Sequence, residues 1–227
     1  MRTVMLDGRS LTTEALLAIA DRRANVECAP DALERVRLAR ATVEGIIGRD
    51  EVVYGINTGF GALVNTRIDS TDLERLQLNL IRSHATAVGT PMTDVEVRAM
   101  MAVRLNSLLA GHSGVHEDPL QQLVELLNHG ITPVVPRLGS LGASGDLAPL
   151  SHVALALIGE GQVVYEGETK PAKEALTVCG LVPCKLRAKD GLSLINGTSQ
   201  MTSLLALASE RLHALLPLAD AVPVSYT

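Results

Sequence analysis

The chain has no tryptophan, one phenylalanine (Phe60) and three tyrosines in 227 residues. A core of stacked aromatic rings is therefore excluded. The interior has to be built from Leu, Val, Ile, Ala and Met, within an apolar share of 47%. Abundant Ala and Leu point to helices. Cysteine is also scarce: Cys28, Cys179 and Cys184 are odd in number and show no metal-type spacing. Cys179 and Cys184 could approach each other, but reduced, buried thiols are the expectation for a cytosolic protein. No run of 18 apolar residues is present, so no transmembrane helix is expected. Met1 to Asp7 has no apolar signal core, which points to the cytoplasm. There is no basic block either. Against 25 acidic residues stand 20 Lys and Arg, a net charge of −5, which argues against a nucleic-acid partner. The length allows one large domain or two small ones.

What is present is helical periodicity. Leu11 to Ala20 carries Leu11, Leu16, Leu17 and Ile19 at helical spacing. Asp31, after Pro30, is expected to cap a helix from Ala32 to Ile47 that stops at Gly48. Glu51 to Tyr54 reads as a short extended lead into a glycine-rich loop, Gly55 to Gly61. That loop lacks the third glycine of a dinucleotide-binding turn. Thr71-Asp72-Leu73-Glu74 has the form of a capping box and opens a helix through about Ala87, with Leu73, Leu76, Leu80 and Ile81 on one face. Asp94 to Ala110 reads as a helix stopped by Gly111. Asp118-Pro119 starts another, which ends before Gly130. Gly161 to Glu168 alternates like a hairpin, and Lys173 to Cys179 reads as a short helix. Asn196 to about Leu218 reads as one long helix, apolar all round, of the kind buried in a bundle or an oligomer. The fold class expected from this pattern is mainly α.

One stretch carries chemistry. Gly139 to Pro149 reads Gly-Ser-Leu-Gly-Ala-Ser-Gly-Asp-Leu-Ala-Pro. Its glycines allow backbone shapes that a Cβ would forbid. In a tight bend the amide nitrogen of Gly145 can attack the carbonyl carbon of Ala143. The Ser144 hydroxyl can then leave as water. Two dehydrations give 4-methylideneimidazol-5-one (MIO), an alkene that accepts nucleophiles. Asp146 could orient groups during those steps. The plainer reading of the same residues is a flexible loop with Asp146 as N-cap of the helix that follows. His112 and His116 are four apart, but Ser113-Gly114-Val115 lacks the glutamate of a zinc helix and Gly114 argues against a helix there, so no metal is expected. Gly142-Ala143-Ser144-Gly145 is not the Gly-x-Ser-x-Gly of a serine hydrolase.

Gly142 to Leu150 resembles the signature of the MIO-dependent aromatic amino acid ammonia-lyases. Tyr54-Gly55-Ile56-Asn57-Thr58-Gly59-Phe60-Gly61 resembles that family's N-terminal catalytic loop, and Leu192 to Thr198 resembles a third block. Three motifs in the right order make the resemblance specific. It runs from about Glu51 to the C-terminus and more loosely before that. The histidine-specific members resemble this chain most. The resemblance implies an ammonia-lyase/fumarase-like helical bundle with a small mixed α/β N-terminal region. Residues 1–112 would hold the tyrosine loop, and 113–227 the MIO loop and the start of the central bundle. It also implies elimination of ammonia from L-histidine to give trans-urocanate, with MIO made from Ala143, Ser144 and Gly145 and no metal.

Site residues follow from the same resemblance. Tyr54 matches the tyrosine proposed to take the β-proton; its alternative is to anchor a loop. A phenolate base would need positive charge or hydrogen bonds at its oxygen. Ser83-His84 matches the pair that reads the substrate side chain, where Ser-His is similar to the histidine enzymes. The alternative is a surface histidine at a helix C-terminus. Asn196 matches an asparagine near the MIO group and the substrate carboxylate, or else caps the long helix. His129 and His213 read as surface or helix-end residues, and His152 as packing.

Members of the family are much longer than this chain. They draw an arginine, a second tyrosine, a glutamine, a phenylalanine and a glutamate from their second half, and assemble their sites in a homotetramer. The 227 residues are therefore expected to be an N-terminal part of such an enzyme, or one subunit of a split enzyme. A non-catalytic assembly module is the third possibility. Within the enzyme reading, a tyrosine or phenylalanine ammonia-lyase or an aminomutase is the runner-up.

Overall fold

A computed structural model describes residues 2–49, 51–58, 72–142 and 144–224, with side chains through residue 222. Strand β1 (Arg2–Leu6) leads into helix α1 (Thr13–Ala20), and β2 (Ala24–Cys28) returns parallel to β1 with Val4 opposite Val26. The Thr12 hydroxyl accepts from the Ala15 amide at 3.2 Å and caps α1. Helix α2 (Pro30–Gly48) begins at Pro30 itself, which has no N–H to leave unpaired. Asp31 is thus inside the helix and does not cap it. Its carboxylate pairs instead with Arg35 at 2.9 Å. Gly48 is the last helical residue, and Arg49 forms the C-cap.

Glu51 to Val53 forms no strand, and a turn begins at Tyr54. The Asn57 side chain folds back onto this segment, accepting from the Val53 amide at 2.9 Å and donating to the Glu51 carbonyl at 2.8 Å. Helix α3 (Leu73–His84) has Leu73, Leu80 and Ile81 buried as expected. Leu76 is only half-buried, and Gln77 takes the inward position. Thr71 lies outside the described residues. Asp72 makes no side-chain capping bond and pairs with Arg75 at 3.0 Å. The helix stops short of Ala87 because the chain turns into β3 (Val88–Pro91).

Helix α4 (Asp94–Leu109) is the central element, packed against α1 and, further along the chain, α9 (Ser199–Val224). Ala99, Met100, Met101, Ala102 and Leu105 are fully buried. A capping box of Thr93 and Glu96 starts it. Next comes α5 (Glu117–His129). Its N-cap is His116, whose Nδ1 accepts from the Asp118 amide at 3.2 Å, so the helix starts one residue before Asp118. Gly130 ends it in the left-handed region, φ 71°. Arg98 of α4 is 2% exposed and joins these helices. Its guanidinium donates to the carbonyls of Ile19 at 2.9 Å and Leu127 at 3.0 Å, at the ends of α1 and α5. Burial pulls its pKa to about 10, still a cation at neutral pH.

Two short strands follow, β4 (Thr132–Pro133) and β5 (Pro136–Leu138), then α6 (Leu147–Leu157), β6 (Gln162–Tyr165), β7 (Glu168–Pro171), α7 (Ala172–Val178) and α8 (Asp190–Ile195), before α9. β5 pairs antiparallel with β3, and β6 lies between β4 and β7 in an antiparallel sheet of three strands. The expected hairpin is therefore β6–β7. The long helix starts at Ser199 and not at Asn196, which is the C-cap of the separate helix α8. Only the first turns of α9 are packed. Leu205, Leu212, Leu215, Leu216 and Leu218 are each more than half exposed, a contiguous apolar face of the kind that marks an interaction surface. The fold class is mainly α, with the parallel β1–β2 pair as the mixed N-terminal part.

Cys28, Cys179 and Cys184 are free and partly buried. Burial pushes the Cys28 thiol up to about 11 and the Cys184 thiol to about 12, so both are unreactive at neutral pH. No helix among the described residues is long and apolar enough to cross a membrane.

Glu96 ties β5 to α4. Its carboxylate accepts from Arg137 at 2.7 and 3.0 Å and from the Thr93 amide at 2.8 Å. Arg137 and the Thr93 donors hold its pKa at about 2, below the ordinary 4.5. The folded state thus favours the charged form. This stability is present above pH 4.5 and is lost as pH falls towards 2. Allowing for the half-exposed Arg137, it amounts to about 1–2 kcal/mol. In urea titrations across pH 2–6, Glu96→Gln is expected to lie below wild type by that amount at pH 6 and to meet it near pH 2. A pH-independent gap would refute the linkage.

Candidate active site

Ser140 and the start of α6 meet at one buried carboxylate. Asp146 is fully buried. It stands at the N-cap position of α6 but makes no side-chain bond to that helix. Its Oδ2 accepts from the amides of Gln200 at 2.7 Å and Met201 at 3.1 Å, in the first turn of α9. Its Oδ1 accepts from the Ser140 hydroxyl at 2.5 Å. Asp146 therefore caps the long helix from a distant part of the chain, a role that the local sequence does not show. Its own amide donates to the Gly197 carbonyl at 2.7 Å.

Gly145 is fixed by the same contact. Its φ is 133°, in the region that L side chains rarely adopt. A Cβ there would lie 2.7 Å from the Gly197 nitrogen, 2.9 Å from the Gly197 oxygen and 3.2 Å from the Asn196 Oδ1. Only glycine fits this cradle, and it brings the Asn196 side chain against Gly145. Asn196 reaches this place as the residue that ends α8 and not as a cap of α9. Ala143 lies outside the described residues.

On the outer side of the loop is a cavity of about 280 Å³. Ser83, His84 and Thr86 line it from the end of α3. Ser144, Gly145 and Leu147 line it from the loop and the start of α6. The His84 Nδ1 is 2.8 Å from the Leu80 carbonyl and 3.1 Å from the Ser83 hydroxyl. A carbonyl oxygen only accepts, so Nδ1 carries the proton. In that tautomer Nε2 is the acceptor. His152, one turn beyond Ala148 on α6, is half-buried. Burial pushes its imidazole below the ordinary range, and its Nε2 has no partner among the described residues.

The structure thus gathers Ser83, His84, Ser144 and Gly145 around one cavity, with Asp146 and Asn196 beneath the loop. Tyr54 is not among the described residues that line the cavity. It stands 60% exposed on the turn made by Asn57. The glycine after it presses on α8, where a Cβ would come within 2.9 Å of Leu192. Two residues escaped the sequence reading. Ser140 is six residues before its partner Asp146 and carries no recognisable spacing. Arg104, 5% exposed on α4, does have a signal, an arginine in the otherwise apolar run Ala99 to Leu105. Among the described residues no group of three His, Cys, Asp or Glu could hold a metal ion.

Comparison with known proteins identifies the family and the fold. Residues 11–225 match the family described as aromatic amino acid lyase. The chain is 52% identical over 206 residues to the histidine ammonia-lyase of Geobacillus thermodenitrificans, covering 90% of this chain and 41% of that protein. It superposes on the crystal structure of histidine ammonia-lyase from Trypanosoma cruzi with a TM-score of 0.86 at 42% identity, covering 93% of this chain and 40% of that one. A tyrosine aminomutase from Streptomyces globisporus gives a TM-score of 0.87 at 42% identity, over 92% and 39% of the two chains. The chain spans about two fifths of the length of the relatives it matches. The match over residues 11–225 shows that the chain belongs to the aromatic amino acid lyase family.

Proposed function

We propose that this chain supplies the electrophile-bearing part of a histidine ammonia-lyase, which eliminates ammonia from L-histidine to give trans-urocanate. The observation that carries the proposal is the cavity shared by the Ser83-His84 pair and the Ser144-Gly145 bend. Ala143, Ser144 and Gly145 would hold the MIO ring, and the cradle at Gly145 fits it, because the attacking glycine is pressed into a bend that no other residue could take. When formed, MIO supplies an electron-poor alkene that turns the amino group into a better leaving group. The N-terminal end of α6 opens beside Ser144 and Gly145 and favours negative charge there.

The chain's own residues do the rest. His84 Nε2 accepts the N–H of the substrate imidazole, which selects histidine over apolar rings. Asn196, against Gly145, orients the substrate carboxylate. Tyr54 is the base: its oxygen takes the β-proton, the C–H electron pair forms the double bond, and the C–N bond breaks with loss of ammonia. Residues beyond these 227, in a homotetramer or on another chain, complete the site. We place the enzyme in the cytoplasm, where free L-histidine is available.

The likeness to tyrosine aminomutase supports a second reading, a tyrosine or phenylalanine lyase or aminomutase. A non-catalytic module is the third. One experiment separates them. In the full-length protein, the peptide containing Ala143-Ser144-Gly145 is expected to weigh two waters less than its sequence, and the Ser144→Ala peptide is expected to keep its full mass. L-histidine should give urocanate, and His84→Leu should lose most of that turnover. An unmodified wild-type peptide would overturn the electrophile. A modified peptide with turnover of tyrosine and none of histidine would establish the second reading.

A further inference from the structure

We propose that Arg104 is a positioning residue for the Ala143-Ser144-Gly145 loop: its guanidinium backs the Asn196–Gly197 segment against Gly145 and so keeps the bend compressed for ring closure. The inference rests on the electrophile proposed above.

Three layers make the argument. The back layer is α4, whose Ala99 to Ala102 and Leu105 are fully buried. Such close-packed side chains yield little. Arg104 projects from it. Its Nη2 donates to the Asn196 carbonyl at 3.1 Å and to the Ser193 carbonyl. These are carbonyls at the end of α8, which have no later helical turn to bond to and favour a cation.

The middle layer is Asn196–Gly197. A Cβ on Gly197 would run into the Arg104 guanidinium, so this segment cannot back away from the loop. The front layer is Gly145–Asp146. A Cβ on Gly145 would run into the other side of Gly197, and the Asp146 amide donates to the Gly197 carbonyl at 2.7 Å. Gly197 is therefore held between Arg104 and Gly145 with no slack.

Burial pulls the Arg104 pKa to about 10 and the charge of Asp146 opposes that pull, so the group stays cationic at neutral pH. A buried cation is costly unless bonded. Here its Nε has no partner among the described residues, and the cost is met by the carbonyls it grips. A lysine ammonium would keep the charge but lose the planar fork that spans two carbonyls and fills the space behind Gly197.

Without the fork, Ser193 to Gly197 can relax towards α4 and the pressure on Gly145 is released. A misplacement of about 1 Å typically slows such a proximity-driven step on the order of 10²-fold. Asn196 would shift with it, so substrate orientation would suffer as well.

The test is the mass of the loop peptide from full-length wild type, Arg104→Lys and Arg104→Met, followed with time after synthesis, with far-UV circular dichroism as the control for folding. Wild type is expected to be fully dehydrated, and the folded variants to carry mostly intact tripeptide at times when wild type is complete. A purely structural role would lower thermal stability without slowing water loss in the folded molecules. Complete water loss in a folded variant, with wild type also dehydrated, would overturn the role of Arg104 alone. Should both variants fail to fold, Arg104→Gln, which keeps a donor for one carbonyl but not the fork, is read in the same way. An intact tripeptide in wild type would overturn the electrophile and this inference together.

Discussion

Asp146→Ala is expected to destabilise the protein by about 3–5 kcal/mol. Three donors point at its carboxylate: the amides of Gln200 and Met201 and the hydroxyl of Ser140. Asp146 is fully buried, so no water replaces it without a cavity opening. Each buried donor left unsatisfied costs about 1–3 kcal/mol. The amides are also the orphan donors of the first turn of α9, so the loss includes that of a helix cap, typically about 1 kcal/mol. Two helix N-termini converge here, since Asp146 is at the start of α6 and its carboxylate faces α9. Both dipoles favour a negative charge at this point. Asp146→Asn separates the two contributions. Its oxygen can face the amides while its NH2 donates to Ser140, so bonding survives and charge is lost. Urea denaturation is expected to show a loss of about 1–2 kcal/mol for Asn, the upper range of a helix-terminus charge effect, as befits a buried group at two helix ends, and the full loss for Ala. Equal losses would mean that the charge, and not the bonding, holds α9 to the loop.

That carboxylate also marks where the sequence stopped being legible. The helices could be read because periodic apolar residues and local stops are short-range signals, as with Gly130. Boundaries slipped where a candidate cap had a competing partner, near or remote. Asp31 looks like a cap, but its competitor is Arg35, one turn on in the same helix. Asn196 looks like the start of the long helix. It ends α8 instead because Arg104, on another helix, takes its carbonyl. The parallel β1–β2 pair escaped because five-residue strands with only two or three inward residues give little periodicity.

The candidate site was legible as motifs and not as geometry. The tripeptide, Ser83-His84 and Asn196 were named from the sequence, but not that Ser83 and His84 would share a cavity with Ser144. The bland alternatives also fared unevenly. Asp146 does occupy an N-cap position, yet its side chain serves a different helix, so the local rule gave the right residue and the wrong partner. A role that depends on residues 54 positions apart, such as Asp146 with Gln200, leaves no trace in spacing. Arg104 left a weak trace, since a charged side chain within an apolar run must find buried acceptors.

Asp190→Ala is the second large effect, and it would act at the opposite end of the helix that leads to Asn196. Asp190 is fully buried. Its Oδ1 accepts from the His116 amide at 2.8 Å and from Arg40 at 3.3 Å, and its Oδ2 from the Arg187 amide at 2.7 Å. Arg40, itself buried on α2, also donates to the Ala188 carbonyl at 2.8 Å and reaches out to Glu44 at 2.9 Å. One carboxylate thus joins α2, the turn before α5 and the first turn of α8. Removing one partner of a buried ion pair leaves the other charge uncompensated, at a cost of about 3–5 kcal/mol. Most of that cost belongs to Arg40, which keeps only the exposed Glu44 carboxylate and backbone carbonyls such as that of Ala188 as partners. The double variant Arg40→Met, Asp190→Leu is therefore expected to recover at least half of the loss, because replacing a buried pair with apolar groups is often close to neutral. Thermal and urea unfolding of Arg40→Met, Asp190→Leu and the double variant measure the coupling. Additive losses would show that Asp190 acts through its two backbone amides, which α8 needs whether or not Arg40 is present.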